Sequence, residues 1–328
     1  MRVVITGGGG FVGQKLAQAL AKAGTLDGAA ITELVLFDVI EAKKPAGAVK
    51  VTTKVGDIAD RATVEALIGP GTGAVFHLAA IVSGQAEAEF DTGMAINFDG
   101  TRWVLEASRR LPKPIKVLFT SSIAVYGGDI PIPVPDNVNL LPQTSYGAQK
   151  VVGEMLVNDY SRKGFIDGRS LRLPTVVVRA GKPNRAASTW ASSIIREPLQ
   201  GEEAICPVDE TIRMWCAAPR TVVKSILHAY ALPAAAFGAN RAVMLPGFVV
   251  SVREMVDSLK RVAGEKVAAR VKFKKDPVIA AIVDRWIADY APKRAIAMGF
   301  PVDTSMDDLV RWFIEDDLAP EHRKALGR

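Results

Sequence analysis

Met1-Arg2-Val3-Val4-Ile5-Thr6-Gly7-Gly8-Gly9-Gly10-Phe11-Val12-Gly13 opens the chain with an apolar run that empties into four glycines and a fifth three residues on. The run reads as a strand, the glycines as a tight turn, and Phe11–Ala23 as the first helix. Gly8, Gly10 and Gly13 satisfy G-x-G-x-x-G, and Thr6, Gly7, Gly10 and Gly13 satisfy T-G-x-x-G-x-x-G. Such glycines permit the turn, let the backbone approach a pyrophosphate, and let the helix pack close to its strand. The helix then presents unpaired N–H groups and the positive end of its dipole to the phosphates. The position between strand and helix, more than the glycines themselves, points to a dinucleotide, with Phe11 and Val12 at the helix mouth.

Working outward, Leu34–Asp38, Lys50–Val55, Ala74–Leu78, Val117–Ser121 and Ser170–Val177 read as further strands. They alternate with helical candidates at Phe11–Ala23, Arg61–Ile68, Phe90–Arg110 and Tyr146–Lys163. Continuous apolar strands alternating with helices imply an α/β fold, a doubly wound parallel sheet of the Rossmann type with its ligand at the carboxyl ends of the strands. Beyond Val178, prolines at 183, 198, 207, 219, 233 and 246 break the pattern into shorter pieces, with helices expected at Ser188–Leu199, Arg220–Ala231, Ser251–Ala263, Pro277–Asp289 and Ser305–Leu318. Residues 1–178 are therefore expected to form the cofactor-binding domain and 179–328 a smaller substrate-binding lobe, with Val243–Leu245 able to return to the sheet.

The composition closes other routes. A chain of 328 residues, 49% hydrophobic and 23% charged, buries a sizeable core. Its net charge of +6 is spread evenly: 21 Lys and Arg against 17 Asp and Glu up to residue 190, and 20 against 18 after it. No basic block stands out, so no nucleic-acid partner is expected. Cys206 and Cys216 lie outside metal-ligand spacing and His77, His228 and His322 are scattered, so no metal is expected. No secretory leader or uninterrupted apolar span of about 20 residues is seen, which predicts a cytoplasmic protein without a membrane partner.

Asp38 ends the second strand, 25 residues past Gly13, where a carboxylate accepts hydrogen bonds from ribose hydroxyls and repels a 2′-phosphate. Val39 and Ile40 bring no offsetting cation, although Lys43 and Lys44 follow closely; NAD is expected over NADP. Asp57 and Ile58 stand where an adenine edge would lie, and Leu78, Ala79 and Ala80 end a strand with residues that allow close approach. Tyr146 and Lys150 are four residues apart on one helix face. A phenol needs roughly three pKa units of stabilisation, about 4 kcal/mol, to act as a base near neutrality, and a neighbouring ammonium with an oxidised nicotinamide supplies it. Ser122 ends the fifth strand, placed to orient a substrate oxygen, while His77 within an apolar strand reads as a satisfied core residue.

Thr6-Gly7-x-x-Gly10-x-x-Gly13, Asp38, Leu78-Ala79-Ala80, Asn97-x-x-Gly100-Thr101, Ser121-Ser122-x-x-Val125-Tyr126-Gly127 and Tyr146-x-x-x-Lys150 occur in the order of the extended short-chain dehydrogenases. The chain resembles that superfamily of NAD-dependent epimerases and dehydratases over about residues 1–180. The resemblance implies a catalytic Ser122, Tyr146 and Lys150, with Asn97 supporting the active-site water or lysine. Ser121 is the competing serine. It also implies that Pro174 joins the cofactor contacts and that the Phe90–Arg110 and Tyr146–Lys163 helices form a homodimer.

In sugar-nucleotide epimerases of the superfamily a His-Val-Asp-Asp-Val-Ala-like segment precedes a lobe helix; here Met214-Trp215-Cys216-Ala217-Ala218-Pro219-Arg220-Thr221-Val222-Val223 stands instead. The stretch from Leu173 to Ser188, with Ile195-Arg196-Glu197-Pro198-Leu199 after it, resembles the D-erythronate dehydrogenase family, which implies oxidation of the C2 hydroxyl of a small acid sugar to the 2-keto acid. A carboxylate substrate needs a cation, and arginine offers a planar fork for both oxygens. Arg179, Lys182 and Arg185 are the candidates, with Ser83, Asn184 and Ser188 for hydroxyls. Arg185 also resembles the placement of the carboxylate-binding arginine of uronate dehydrogenases. Two other readings remain: a nucleotide-sugar 4-epimerase or dehydratase holding its NAD, and a non-catalytic NAD-binding scaffold.

Overall fold

A computed structural model describes residues 1–181, 186 and 188–327. The opening run forms β1 (Arg2–Thr6) and the glycine turn leads into α1 (Phe11–Ala23). There follow β2 (Glu33–Asp38), β3 (Val51–Val55), α2 (Arg61–Leu67), β4 (Thr72–His77) and the short α3 (Ser83–Ala88). Helix α4 is composite: Phe90–Gly93, a π-helical stretch Met94–Asp99, and Gly100–Arg109. After β5 (Lys116–Ser122), α5 (Ser145–Arg162) and β6 (Asp167–Leu173), the chain enters the second half.

Seven parallel strands form the main sheet. Their order places β3, β2, β1, β4, β5 and β6 side by side, with one later strand beyond β6. The order reverses between β1 and β4, the switch point at which an open α/β sheet takes its ligand. The strands are apolar on both faces because both are covered: Val3, Ile5, Leu34 and Leu36 pack with α1, whereas Val4, Val35, Phe37 and Val75 pack with α2, α4 and α5 residues.

The expected strand Ser170–Val177 divides at Pro174. Lacking an N–H, Pro174 cannot extend the ladder, so β6 stays in the main sheet and Thr175–Val176 forms β7 in a second one. There β7 pairs in parallel with β8 (Arg213–Ala217), which follows α6 (Thr189–Leu199). The chain then returns through α7 (Pro219–Ala231) to β9 (Ala242–Met244), the outermost strand of the main sheet beside β6. It leaves again as β10 (Phe248–Ser251), antiparallel to β8, and α8 (Val252–Ala263), closed by a capping box between Ser251 and Glu254. Helix α9 (Met306–Asp316) joins α6 and α8 in a separate apolar core built on Trp190, Ile194, Met255, Leu259, Leu309 and Phe313.

Two helices depart from expectation. The Pro277–Asp289 helix stops at Val283, because the chain must extend to pair Tyr290–Ala291 with Val134–Pro135. Phe90–Arg110 is not one regular α-helix but carries the π-helical interruption.

Candidate active site

Gly7 and Gly13 of the turn are pressed against main chain, whereas Gly9 faces the side chains of Asp38 and Ile40. Gly7 sits at φ +72°, and a Cβ there would lie 2.7 Å from the Ala79 nitrogen; at Gly13 it would lie 2.1 Å from the Gly7 carbonyl oxygen. These positions exclude any side chain. No side chain caps the start of α1, and no acidic residue lies in its first turn, so its N–H groups face outward beside Gly10. Phe11 and Val12 are half-buried at that helix mouth. The Asp38 carboxylate is oriented by the Gly9 N–H at 2.9 Å and the Val39 N–H at 2.8 Å. A cradle that a Cβ would fill, an open helix N-terminus and a fixed carboxylate together fit an adenine dinucleotide with free ribose hydroxyls. Leu78, whose N–H donates to the Thr6 carbonyl, continues into Ala79 and Ala80 along the same rim. Asp57 is exposed and folds back on the Ala59 N–H, whereas the Ile58 side chain turns into the core against Gly100. Pro174 is buried where the chain passes between the two sheets.

His77 is enclosed. Thr101 donates its hydroxyl proton to the Asn97 carbonyl at 2.7 Å, so it receives the His77 Nε2–H at 2.9 Å, which leaves Nδ1 to accept from Thr6 at 2.7 Å. Burial, with Lys150 nearby, pushes its pKa down to about 3. It is a neutral core residue.

At the end of β5 three successive residues meet α5. The Lys150 ammonium donates to the Thr120 carbonyl at 2.8 Å, Ser121 donates to the Glu154 carboxylate at 2.6 Å, and Ser122 stands beside the Tyr146 phenol, whose ionisation it favours. Ser121 is thereby spent in the interior, and Ser122 is the serine beside the tyrosine. Lys150 Nζ lies 5.5 Å from the Tyr146 ring centre. Burial raises the phenol to about 12, with Ser122 opposing it, and burial lowers the Lys150 ammonium to about 7, with Glu154 opposing. Such displaced pairs of titratable groups mark sites of proton transfer.

Asn97 sits in the π-helical stretch of α4. Its amide accepts the Ile81 N–H at 2.9 Å, and it donates to the Ile81 carbonyl at 3.2 Å and to Gln149 Oε1 at 2.8 Å. The side chain thus holds the loop after β4, from which Ser83 opens α3, while Lys150 is held by Thr120. Arg179 follows β7, half-buried, with Nη2 donating to Ser188 at 3.2 Å and its main chain tied to Ser192 and Arg196. Among the described residues no carboxylate pairs with it, and burial beside Arg196 lowers its pKa. Arg185, Lys182 and Asn184 lie outside the described residues. Glu154, Arg172 and Gln149 are the members that sequence reasoning missed; the Tyr146–Lys150–Glu154 spacing of four was the available signal for the first.

Among the described residues no group of three or more His, Cys, Asp or Glu is placed to hold a metal ion, and no helix is long and apolar enough to cross a membrane. Residues 3–234 match the model of the NAD dependent epimerase/dehydratase family. The chain is 48% identical to the D-erythronate dehydrogenase of Cupriavidus necator over 96% of its own length and 98% of the relative's. It is 42% identical to that of Haemophilus influenzae over 97% and 100%. A solved structure described as a nucleoside-diphosphate-sugar epimerase from Agrobacterium tumefaciens superposes with a TM-score of 0.92 at 41% identity, covering 97% of this chain and 94% of that one. L-threonine 3-dehydrogenase from Trypanosoma brucei follows at 0.83, with 26% identity and 96% of each chain covered.

Proposed function

The chain belongs to the NAD dependent epimerase/dehydratase family as an NAD-dependent oxidoreductase, and from that premise we propose that it oxidises the C2 hydroxyl of a small acid sugar of the D-erythronate type to the 2-keto acid. The observation that carries the reading is Arg179: a half-buried guanidinium with no carboxylate partner among the described residues, in a chain that aligns over nearly its full length with D-erythronate dehydrogenases.

In this reading Tyr146 is the base that takes the hydroxyl proton, and Ser122, beside the phenol, donates to the substrate oxygen. Lys150, anchored on Thr120, supplies positive charge beside the phenol and a donor to the nicotinamide ribose. Gly7, Gly10, Phe11, Val12 and Gly13 hold the pyrophosphate, Asp38 the adenosine ribose, and Asp57 with the Ile58 main chain the adenine. Leu78, Ala79, Ala80 and Pro174 bound the rest of the cofactor. NAD, when bound, supplies the hydride acceptor and an oxidised ring whose charge acts on the phenol in the same direction as Lys150. Arg179 takes the substrate carboxylate, with Ser83 for a substrate hydroxyl and Arg185 the second candidate cation. Asn97 keeps the Ile81 loop in place.

An NAD-reduction screen over four- to six-carbon aldonates, uronates and UDP-sugars tests this. Turnover of a four-carbon aldonate supports it; reduction of none of the acids, with interconversion of a UDP-sugar and no net NADH, would install the epimerase reading that the Agrobacterium tumefaciens structure's description favours. We also propose a homodimer through α4 and α5. Phe90, Val152 and Met155 are exposed there around a groove of about 200 Å³ lined by Phe90, Met94, Phe98 and Ala148. Sedimentation of Val152→Glu should show a shift to monomer.

A further inference from the structure

Glu154 and Arg172 form an ion pair in the interior, 0% and 4% exposed, with Arg172 Nε and Nη2 donating to the two carboxylate oxygens at 2.9 and 2.7 Å. A buried pair is weak evidence for stability, because desolvation offsets most of the attraction and apolar residues fill such space at lower cost. What distinguishes this pair is its placement. Tyr146, Lys150 and Glu154 follow each other at four-residue intervals on one face of α5. Thr120, Ser121 and Ser122 receive Lys150, Glu154 and Tyr146 respectively. Arg172 stands directly across from Ser121 in the ladder between β5 and β6, and its Nη1 donates to the Tyr126 hydroxyl at 2.7 Å. The pair therefore grips both ends of the segment 121–126, from which Ser122 projects.

We propose that Glu154, locked to Arg172, is a positioning residue for the reaction: through Ser121 it fixes the strand end that carries Ser122, and through its charge it keeps the proton on Lys150. This rests on Tyr146 as the base. The charged and titratable groups around Lys150 are Tyr146 and Glu154 on its own helix, His77 from β4 and, behind Glu154, Arg172 from β6. His77 is neutral, so Glu154 is the anion of the set. Burial drives the Lys150 proton off, and the carboxylate one helical turn away opposes it.

The test reads Lys150 without turnover, by carbon-13 NMR of labelled lysine, with Lys150→Met identifying its resonance. In Glu154→Gln the lysine should titrate lower by about one pH unit, and the acidic limb of kcat/KM should move upward, since a less charged lysine stabilises the Tyr146 phenolate less. At neutral pH kcat should fall about tenfold while KM for the acid stays within about twofold. Glu154→Asp should recover the titration but only part of kcat. Ser121→Ala keeps the charge and loses the tether, so it should lower kcat about fivefold with the lysine titration unmoved. If Glu154→Gln leaves the fold intact and neither titration nor kcat moves, the proposal is overturned. Should Glu154→Gln fail to fold around an unpaired Arg172, Glu154→Gln/Arg172→Met takes its place, and wild-type kcat in Ser121→Ala overturns the tether on its own. Near-normal turnover of Tyr146→Phe would overturn the base assignment instead, on a different variant.

Discussion

The nucleotide side and the substrate side of the cleft are built from different material. Around Gly7–Gly13 the ligand would meet main chain: helix N–H groups, carbonyls and a carboxylate that backbone amides orient. Around Ser122 and Arg179 it would meet side chains brought from β5, α5 and the segment after β7. Backbone recognition leaves a contiguous trace in the chain, because only glycine admits the approach. Side-chain recognition leaves single residues far apart, each of a type common elsewhere.

Tyr146→Phe should break the substrate side alone. Removing one oxygen while the ring keeps its packing should lower kcat by about a thousandfold or more, with NAD affinity by calorimetry nearly unchanged; equal losses in both would mean the two sides are one unit. Arg179→Ala sharpens the same division. It should raise KM for the acid by about 10- to 150-fold, the worth of a charge-assisted pair of roughly 1.5–3 kcal/mol, and spare a neutral polyol. The parallel Arg185→Ala variant in the same assay assigns the clamp to one arginine or the other. On the nucleotide side NAD should exceed NADP in kcat/KM by about tenfold or more, and Asp38→Ser should narrow that ratio without altering the choice of sugar acid.

A further expected effect concerns stability. His77 titrates near 3 in the fold and near 6.5 free, so the unfolded chain binds the extra proton between those values. Its contribution to stability is complete above about 6.5 and is lost as the pH falls toward 3. Lys150 works in a higher window: lowered from 10.5 to about 7, it makes the fold gain stability as pH rises from about 7 to 10.5. Thermal melts of the wild type and Lys150→Met across that upper window should converge at its alkaline end.

Most strands of the sheet were legible, because buried parallel strands are apolar on both faces and alternate with helices, whereas their order came only from the structure. In the candidate site, helical spacing was enough to place Tyr146 and Lys150 together. What stayed hidden depends on register between distant segments. Nothing local tells that Arg172 faces Ser121 across two strands and meets Glu154, 18 residues earlier. Pro174 was in plain view inside an apolar run, yet leucines before it and the β-branched Thr175, Val176 and Val177 after it masked the break that its missing N–H makes. Nor does composition announce a π turn, since Met94–Asp99 has ordinary helix formers.

That π-helical stretch has a consequence for chain length. A π turn is what remains when an α-helix absorbs one surplus residue without rotating its two ends against each other. Phe90 and Arg109 therefore keep the seats they would have in a shorter helix, and the surplus is spent where Asn97 turns inward to Ile81. A chain with one residue fewer between Met94 and Asp99 would relax to plain α-helix and still fold, with the Ile81 loop released. Single deletions scanned along this helix should accordingly be mildest for expression and harshest for turnover in the same six positions.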